Sequence, residues 1–188
     1  MRLFVGLDLP DSIKTALLAS MGGVANARWQ TADQLHLTLR FIGEVDRHQA
    51  ADIAAALGRV NIRPFMAELA EPGLFDHRGR IDTLWVGVRP AESLAGLAKS
   101  VNAALASAGV PPDSRAFLPH ITVARGRSMI GATGWPQGPI PRVGWPVNSV
   151  ALFESRMGKA GSDYSVLARW PPTPSVASDP NGAVLTLY

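Results

Sequence analysis

One stretch of the sequence decides the fold: Leu35-His36-Leu37-Thr38-Leu39-Arg40-Phe41-Ile42-Gly43. Its run of apolar and β-favouring residues, closed by a glycine, predicts a β-strand. Side chains two positions apart on a strand point to the same face, so we expect His36 and Thr38 to project together. The same His-apolar-Thr-apolar pattern recurs in Pro119-His120-Ile121-Thr122-Val123-Ala124-Arg125. We therefore interpret the two stretches as the two halves of one functional site.

The other two of the 4 histidines lack this pattern. His48 and His77 are followed two positions later by Ala50 and Gly79. A single His-x-Thr is common in strands and says little about function. Two copies in matching strand contexts are a much stronger signal.

The composition is that of an ordinary soluble globular protein. Of the 188 residues, 47% are hydrophobic and 18% are charged, which allows one substantial core or two small lobes that share one. The absence of cysteine excludes disulfides and thiolate metal sites and fits a reducing compartment. Residues 3–9 are mostly apolar, but Asp8 and Pro10 make this run too short for a signal peptide or a membrane span. We expect a cytoplasmic monomer that does not bind membranes.

The net charge of +3 is carried almost entirely by arginine. Arginine suits phosphate groups better than lysine does, so this charge permits a nucleic-acid partner. An arginine-rich coding bias explains the composition equally well, and the charge alone therefore does not define a partner.

The order of the predicted elements repeats along the chain. Each half contains a strand, a helix that begins at a proline and ends at a glycine, a loop, and a His-x-Thr strand. The first half has its strand, helix and motif strand at 2–9, 10–22 and 35–43, and the second at 83–88, 90–109 and 119–125. Such a repeat predicts a two-fold arrangement in which both motif strands reach a shared cleft.

The remaining segments complete the predicted plan. They are a helix from Asp46 to Gly58, a strand at 64–69 joined to 83–88 by an irregular connection at 71–80, a long Gly/Pro-rich loop at 126–146, and a strand pair at 147–153 and 164–170. We treat residues 1–170 as a single bilobal domain. Residues 171–188 form a Pro/Ser-rich tail that we expect to be partly disordered.

Two tryptophans, Trp135 and Trp145, lie in the long loop, and each precedes a proline. An exposed tryptophan there could stack on a nucleobase. We favour the alternative, in which the two rings pin the loop onto the core, because tryptophan is highly buried on average.

The motif residues limit the chemistry. No acidic residue lies near either motif in the sequence, which argues against a His-Asp-Ser hydrolase. The sequence contains no His-Glu-x-x-His motif, carboxylate cluster or Gly-rich phosphate loop, so we expect neither a catalytic metal nor a cofactor.

What the motifs can supply is general acid–base catalysis by two imidazoles, whose unperturbed pKa near ~6.5 lets one be neutral and the other protonated. Thr38 and Thr122 would donate hydrogen bonds to non-bridging phosphate oxygens. In-line displacement at phosphorus needs the acid and the base on opposite sides, which two pseudo-symmetric strands can provide. A strained cyclic phosphodiester suits such a site without a metal.

The paired motifs His36-Leu37-Thr38-Leu39 and His120-Ile121-Thr122-Val123 resemble those of the two-histidine (2H) phosphoesterase superfamily. The resemblance is closest to its RNA 2′,3′-cyclic phosphodiesterase branch, historically called 2′-5′ RNA ligase. It covers roughly residues 2–170. It extends to the segments Leu3–Pro10, Arg28-Trp29, Phe41–Val45, Arg125, Glu154–Met157, Tyr164 and Trp170.

The resemblance implies an α+β, bilobal fold with two pseudo-symmetric lobes, each with an antiparallel sheet and flanking helices, and with the motifs facing across a cleft. It also implies metal-independent hydrolysis of a terminal 2′,3′-cyclic phosphate on RNA to a 2′-phosphate. By the same resemblance, His120 is the proton acceptor that activates water, and His36 is the proton donor to the leaving 3′-oxygen. The spacing of the residues by itself leaves this assignment open.

Residues beside the motifs are further candidates. By strict alternation, Arg40 shares the face of His36 and reaches either the substrate phosphate or the solvent at the cleft mouth, while Phe41 packs in the core. Strict alternation places Arg125 opposite His120, so it reaches the phosphate only if the strand bulges near Ala124. We expect that bulge. Arg156 and Lys159 flank a Gly-rich turn and could contact RNA phosphates, but a solvent-exposed turn is the simpler interpretation.

Other activities fit the same residues. The substrate could be a small cyclic nucleotide or a cyclic phosphate of ADP-ribose instead of RNA, and the reverse reaction would make the protein a 2′-5′ RNA ligase. From a different class, the chain could be a non-catalytic nucleotide- or RNA-binding module whose histidines only hold phosphate.

Overall fold

The computed structural model describes residues 1–158 and 161–171. The strands are β1 (Arg2–Asp8), β2 (Ala25–Trp29), β3 (His36–Glu44), β4 (Phe65–His77), β5 (Arg80–Arg89), β6 (His120–Ile130), β7 (Gly144–Val147), β8 (Val150–Gly158) and β9 (Gly161–Trp170). The helices are α1 (Asp11–Ala19), α2 (Arg47–Leu57) and α3 (Ala91–Ser107), with short 3₁₀ turns at Ala32–Gln34 and Ala132–Gly134. Lys159 and all but the first residue of the predicted tail lie outside the described residues.

The predicted repeat is present in the fold. β1, α1 and β3 form one unit and β5, α3 and β6 form the other, and in each unit the two strands pair antiparallel. Each helix follows a proline in extended conformation, Pro10 or Pro90, which cannot donate a backbone hydrogen bond to a preceding turn. The apolar face of α3 is buried at Leu94, Leu97, Ala98, Val101 and Leu105.

The strands form one curled antiparallel sheet made of two halves. The strand order is β7-β4-β5-β6-β3-β1-β8-β9, with β2 pairing with the outer part of β6. The halves meet where β3 pairs with β6 through Leu37 and Ile121. The prediction of an α+β fold with an antiparallel sheet in each half is confirmed, and the two motif strands are neighbours at the centre.

Two loop predictions were wrong. The segment 71–80 belongs to a bulged hairpin of β4 and β5, in which Arg78 and Gly79 adopt φ values of 54° and 75° that close a tight turn between His77 and Arg80. The segment 126–146 is not all loop: β6 continues to Ile130 along β2, and β7 begins at Gly144 along β4. Glycine and proline disfavour strands locally, but neighbouring strands supply hydrogen-bond partners that the local sequence does not reveal.

The two loop tryptophans pack inside, as we favoured. Trp135 is 8% exposed and Trp145 is 3% exposed, and Trp135 Nε1 donates a hydrogen bond to the Ser20 carbonyl at 2.8 Å. Neither ring offers a free face to a nucleobase. None of the helices in the described part of the chain has the length and apolar character needed to cross a membrane.

Candidate active site

The register of the two central strands brings the motifs together. Because Leu37 pairs with Ile121 in an antiparallel ladder, each histidine comes opposite the threonine of the other strand. The four motif side chains therefore share one face of the sheet, and Thr38 and His120 line the same cavity. On its other edge, β3 pairs with β1, and Thr38 lies opposite Gly6. A Cβ atom at Gly6 would lie 2.6 Å from the Leu37 carbonyl oxygen.

Both imidazoles are held by the same kind of hydrogen bond, from Nδ1 to the backbone carbonyl oxygen two residues earlier. His36 Nδ1 lies 2.8 Å from the Gln34 carbonyl oxygen, and His120 Nδ1 lies 2.7 Å from the Leu118 carbonyl oxygen. A carbonyl oxygen only accepts hydrogen bonds, so each Nδ1 carries a proton and donates it. The neutral ring then presents Nε2 as a lone pair, and His36 Nε2 lies 3.1 Å from Thr38 Oγ1, which donates to it.

Aromatic rings lie beside both imidazoles. The centroid of the His36 ring lies 4.7 Å from that of Phe4, 4.9 Å from Tyr164 and 5.8 Å from Phe153. His120 has aromatic neighbours as well, Phe75 at 5.2 Å and Trp85 at 5.8 Å. None of these rings was predicted to lie beside a histidine.

Burial lowers the pKa of both imidazoles. Removal from water lowers the pKa of His36 from 6.5 to about 4, and the positive charges of Arg125 and His120 act in the same direction. Removal from water also lowers the pKa of His120, with Arg125 again contributing. Both rings are therefore neutral at pH 7 in the free protein, with Nε2 able to accept a proton.

A bulge interrupts each motif strand just after its threonine. On β3, Thr38 pairs with Gly6 and Arg40 with Val5, which leaves Leu39 as the extra residue. On β6, Thr122 pairs with Trp85 and Ala124 pairs with Leu84, which leaves Val123 as the extra residue. A bulge reverses the alternation of faces beyond it. The fifth residue after each histidine, Phe41 or Arg125, consequently faces the cleft.

The bulge near Ala124 agrees with our prediction, and Arg125 is exposed on the cleft face beside Phe4 and Tyr164. The matching bulge on β3 was not predicted. We expected Phe41 in the core, but it is 46% exposed and packs on Phe4 at 5.6 Å.

Arg40 correspondingly does not share the face of His36. It is 8% exposed and donates Nε to the Phe41 carbonyl at 3.0 Å and Nη2 to the Pro111 carbonyl. Its Nη1 lies 3.7 Å from a carboxylate oxygen of Asp113. Arg40 thus joins β3 to the loop that leads to His120.

Two residues of the cleft, Phe4 and Arg115, were not predicted. Phe4 lies on the same face of the sheet as the motif side chains, because it is two residues from Gly6, which pairs with Thr38. Arg115, in the loop before β6, was not recognised as a cleft residue, although it lines two cavities that adjoin the motifs.

In residues 1–158 and 161–171, no group of three His, Cys, Asp or Glu side chains is placed to hold a metal ion.

The fold and the site, a curled antiparallel sheet with paired His-x-Thr strands at its centre, define the class of two-histidine phosphoesterases. Residues 11–158 match the model of the 2′-5′ RNA ligase superfamily. The RNA 2′,3′-cyclic phosphodiesterase of Thermus thermophilus is 31% identical over 189 residues, covering 90% of this chain and 89% of the relative. That of Escherichia coli is 31% identical over 175 residues, covering 90% and 95%. This chain belongs to the 2′-5′ RNA ligase superfamily.

The structural comparison agrees with this membership. The crystal structure of E. coli LigT complexed with 3′-AMP superposes with a TM-score of 0.73 at 29% sequence identity, covering 90% of this chain and 96% of the other. The fold of the whole described chain, and not the motifs alone, is therefore that of the family.

Proposed function

We propose that the protein hydrolyses the terminal 2′,3′-cyclic phosphodiester of RNA to a 2′-phosphomonoester without a metal ion. The observation that carries this proposal is the pair of imidazoles on adjacent strands, each fixed through Nδ1, with Thr38, Thr122 and Arg125 on the same face. The names of the Thermus and E. coli relatives support the choice of substrate.

In the proposed mechanism, His120 Nε2 takes a proton from water as the water oxygen attacks phosphorus. The bond from phosphorus to the 3′-oxygen breaks, and His36 gives a proton to that oxygen, which leaves the phosphate on the 2′-oxygen. Thr38, Thr122 and Arg125 donate hydrogen bonds to the non-bridging oxygens, where negative charge is greatest.

This mechanism requires a proton on His36, which burial disfavours in the free protein. The negative charge of a bound phosphodiester raises the pKa of an adjacent imidazole, so we infer that His36 takes up its proton as substrate binds. The Thr38 hydroxyl, which donates to His36 Nε2 in the free protein, then turns to the phosphate. Arg40 takes no part in this mechanism, because it does not share the face of His36 and its buried side chain is bonded to the Phe41 and Pro111 carbonyls.

The test is direct. An oligoribonucleotide ending in a 2′,3′-cyclic phosphate is incubated with the protein and EDTA, and the products are separated by chromatography against 2′- and 3′-phosphate standards. We expect ring opening, mainly to the 2′-phosphate. A folded protein that leaves the ring intact, or that needs an added divalent metal, would contradict the proposal.

The same assay separates the substrate classes. A higher kcat/KM for the oligonucleotide than for a cyclic mononucleotide is expected for an enzyme that acts on RNA. In our proposal this enzyme is a cytoplasmic monomer. A preference for the mononucleotide or for an ADP-ribose cyclic phosphate would assign the chemistry to a small molecule. In ligation, the 5′-hydroxyl of a second RNA would replace water as the group that attacks the cyclic phosphate, and in dilute aqueous solution hydrolysis should dominate.

Arg125 is expected to matter through its charge. Arg125→Ala should lower kcat/KM for the cyclic phosphate roughly 10- to 100-fold, the usual consequence of losing a charged hydrogen bond to the reacting group. Steady-state kinetics on a cyclic mononucleotide measures this effect without contacts from the rest of an RNA chain. Arg59→Ala, at an exposed position just after α2, is the matched control and should be unchanged. Equal kinetics in both variants would remove Arg125 from the site.

A further inference from the structure

A cavity of about 470 Å³ adjoins the paired motifs, and three arginines line it, Arg2, Arg115 and Arg125. We call it the arginine cavity. Its volume lies within the range of about 300–1,000 Å³ that is usual for small-molecule sites. The histidines and threonines of the two motifs are not among the described residues that line it. The arginine cavity therefore lies next to the reaction centre, with Arg125 at the boundary between the two.

The strand register places Arg2 on the face that carries the motifs. Alternation along β1 puts Arg2, Phe4 and Gly6 on one face. Gly6 pairs with Thr38 of the first motif, and Arg2 pairs with Ser155 of β8. The motif face of the sheet therefore continues past Phe4 to Arg2, and a molecule that lies on this face can reach both the motifs and Arg2.

The second cation, Arg115, is held in one orientation. Its Nε and Nη2 donate to the two carboxylate oxygens of Asp113 at 3.0 and 2.8 Å, and the same carboxylate lies 3.7 Å from Nη1 of the buried Arg40. A bidentate pair of this kind fixes the plane of a guanidinium group. The Arg115 side chain is nevertheless 73% exposed, and its Nη1 remains a donor for a ligand.

The charge of the arginine cavity is not neutralised from within. No acidic side chain lines it among the described residues, and within residues 1–158 and 161–171 neither Arg2 nor Arg125 forms an ion pair with a carboxylate. Glu44, which pairs with Arg2 across the strands, lies 3.6 Å from the N-terminal amine. Serine and tyrosine hydroxyls add further donors to the walls. Such a set of donors suits an anion with several acceptor oxygens.

We propose that Arg2 and Arg115 bind the phosphate that joins the terminal nucleotide to the rest of the RNA, while Arg125 contacts the cyclic phosphate. A 2′,3′-cyclic phosphate closes the 3′ end of an RNA chain, so the next phosphate is attached to the 5′-oxygen of the same ribose. A cyclic mononucleotide lacks this group. Contacts to backbone phosphates position a nucleic acid without reading its sequence. This inference rests on the proposed function and gives the site a means of preferring RNA to a small nucleotide.

The experiment compares two substrates that differ by one phosphate. One is uridine 2′,3′-cyclic phosphate, and the other carries in addition a 5′-(methyl phosphate), which has the single negative charge of an internucleotide phosphate. Hydrogen bonds from charged donors correspond to roughly a 10-fold effect or more, so we expect kcat/KM at low ionic strength to be at least ~10-fold higher with the 5′ group. Added sodium chloride should reduce this advantage by screening.

The possible results are distinguishable. Equal kcat/KM values at low salt would overturn the phosphate site and leave the proposed function intact. An advantage that does not fall with salt would show recognition of the 5′ group by size, and would overturn the role of the arginines. No turnover of either compound would overturn the proposed function itself.

Variants assign the effect to the arginine cavity. Arg2→Ala and Arg115→Ala should each lower the ratio of the two kcat/KM values roughly 3-fold or more, because each removes one charged donor from an exposed position. Arg63→Ala, at an exposed loop position, is the matched control and should keep the ratio. A ratio that is the same in all three variants as in the unmodified protein would overturn the assignment, and thermal melting confirms that the variants are folded.

Discussion

Replacing His36 or His120 by alanine is expected to lower kcat for a 2′,3′-cyclic phosphate at least ~100-fold, the scale on which a general acid or base contributes. Each imidazole is the proton-transferring group on its own strand, and neither motif has a carboxylate at hydrogen-bond distance that could replace it among the described residues. KM should change much less, because the threonines and Arg125 still bind the phosphate. Single-turnover and steady-state kinetics on one substrate measure both quantities.

The chain contains its own controls for this experiment. His48 and His77 are both exposed and lie outside the motif strands' His-x-Thr pattern. His48→Ala and His77→Ala should keep the activity of the unmodified protein. Near-normal turnover by the His36 or His120 variant, with the protein folded, would show that the site acts through phosphate binding alone and that the non-catalytic alternative is correct.

The pH dependence of the same variants assigns the acid and the base. The kcat/KM profile of the unmodified protein should be bell-shaped, since one imidazole must be neutral and the other protonated. Loss of the base removes the dependence on the acidic side, and loss of the acid removes the decline on the alkaline side. The proposed roles therefore predict that the residual activity of His120→Ala lacks the acidic limb and that of His36→Ala lacks the alkaline limb.

Local pattern was sufficient for the part of the site that lies before the bulges. Alternation along a strand placed His36 with Thr38 correctly, and the repeated order of elements correctly indicated two units that meet at the motif strands. Alternation failed one residue later, at Leu39, because a bulge depends on how two strands fit each other and not on the sequence of one. That single extra residue exchanged the positions of Arg40 and Phe41.

The two bulges show that the internal repeat is itself predictive. A bulge was expected beside Arg125 because the family resemblance includes that residue, and the same bulge at the equivalent position of the first unit would have placed Phe41 in the cleft. The repeat makes Arg40 equivalent to Ala124 and Phe41 equivalent to Arg125. One unit therefore contributes a cation to the cleft and the other an aromatic ring.

Contacts between distant segments of the chain could not be predicted from the sequence. Phe153 and Tyr164 come from β8 and β9, yet they pack around His36 because β1 lies between β3 and β8 in the sheet. These rings remove water from His36 and so set its pKa, a property that neither motif encodes by itself. The burial that makes His36 reluctant to ionise follows from the order of strands in the sheet.

That burial has a measurable effect on the stability of the free protein. The unfolded chain binds a proton at His36 near pH 6.5, whereas the folded chain does not do so until about pH 4. Between these values the unfolded state binds more protons, so the free energy of unfolding falls as the pH is lowered. A full shift of this size corresponds to roughly 3 kcal/mol, present above pH 6.5 and mostly lost by pH 4. Denaturant unfolding at a series of pH values measures the loss.

The contribution of His36 is isolated by His36→Phe, which keeps an aromatic ring beside Phe4 and Tyr164 but cannot titrate. Carboxylates that are paired in the folded protein also lose stability in acid, and they do so equally in both proteins. The difference in the free energy of unfolding between the unmodified protein and the variant should therefore change by roughly 3 kcal/mol between pH 7 and pH 3.5. A difference that stays constant with pH would mean that His36 is protonated as easily in the folded protein as in water, and that burial does not control its ionisation.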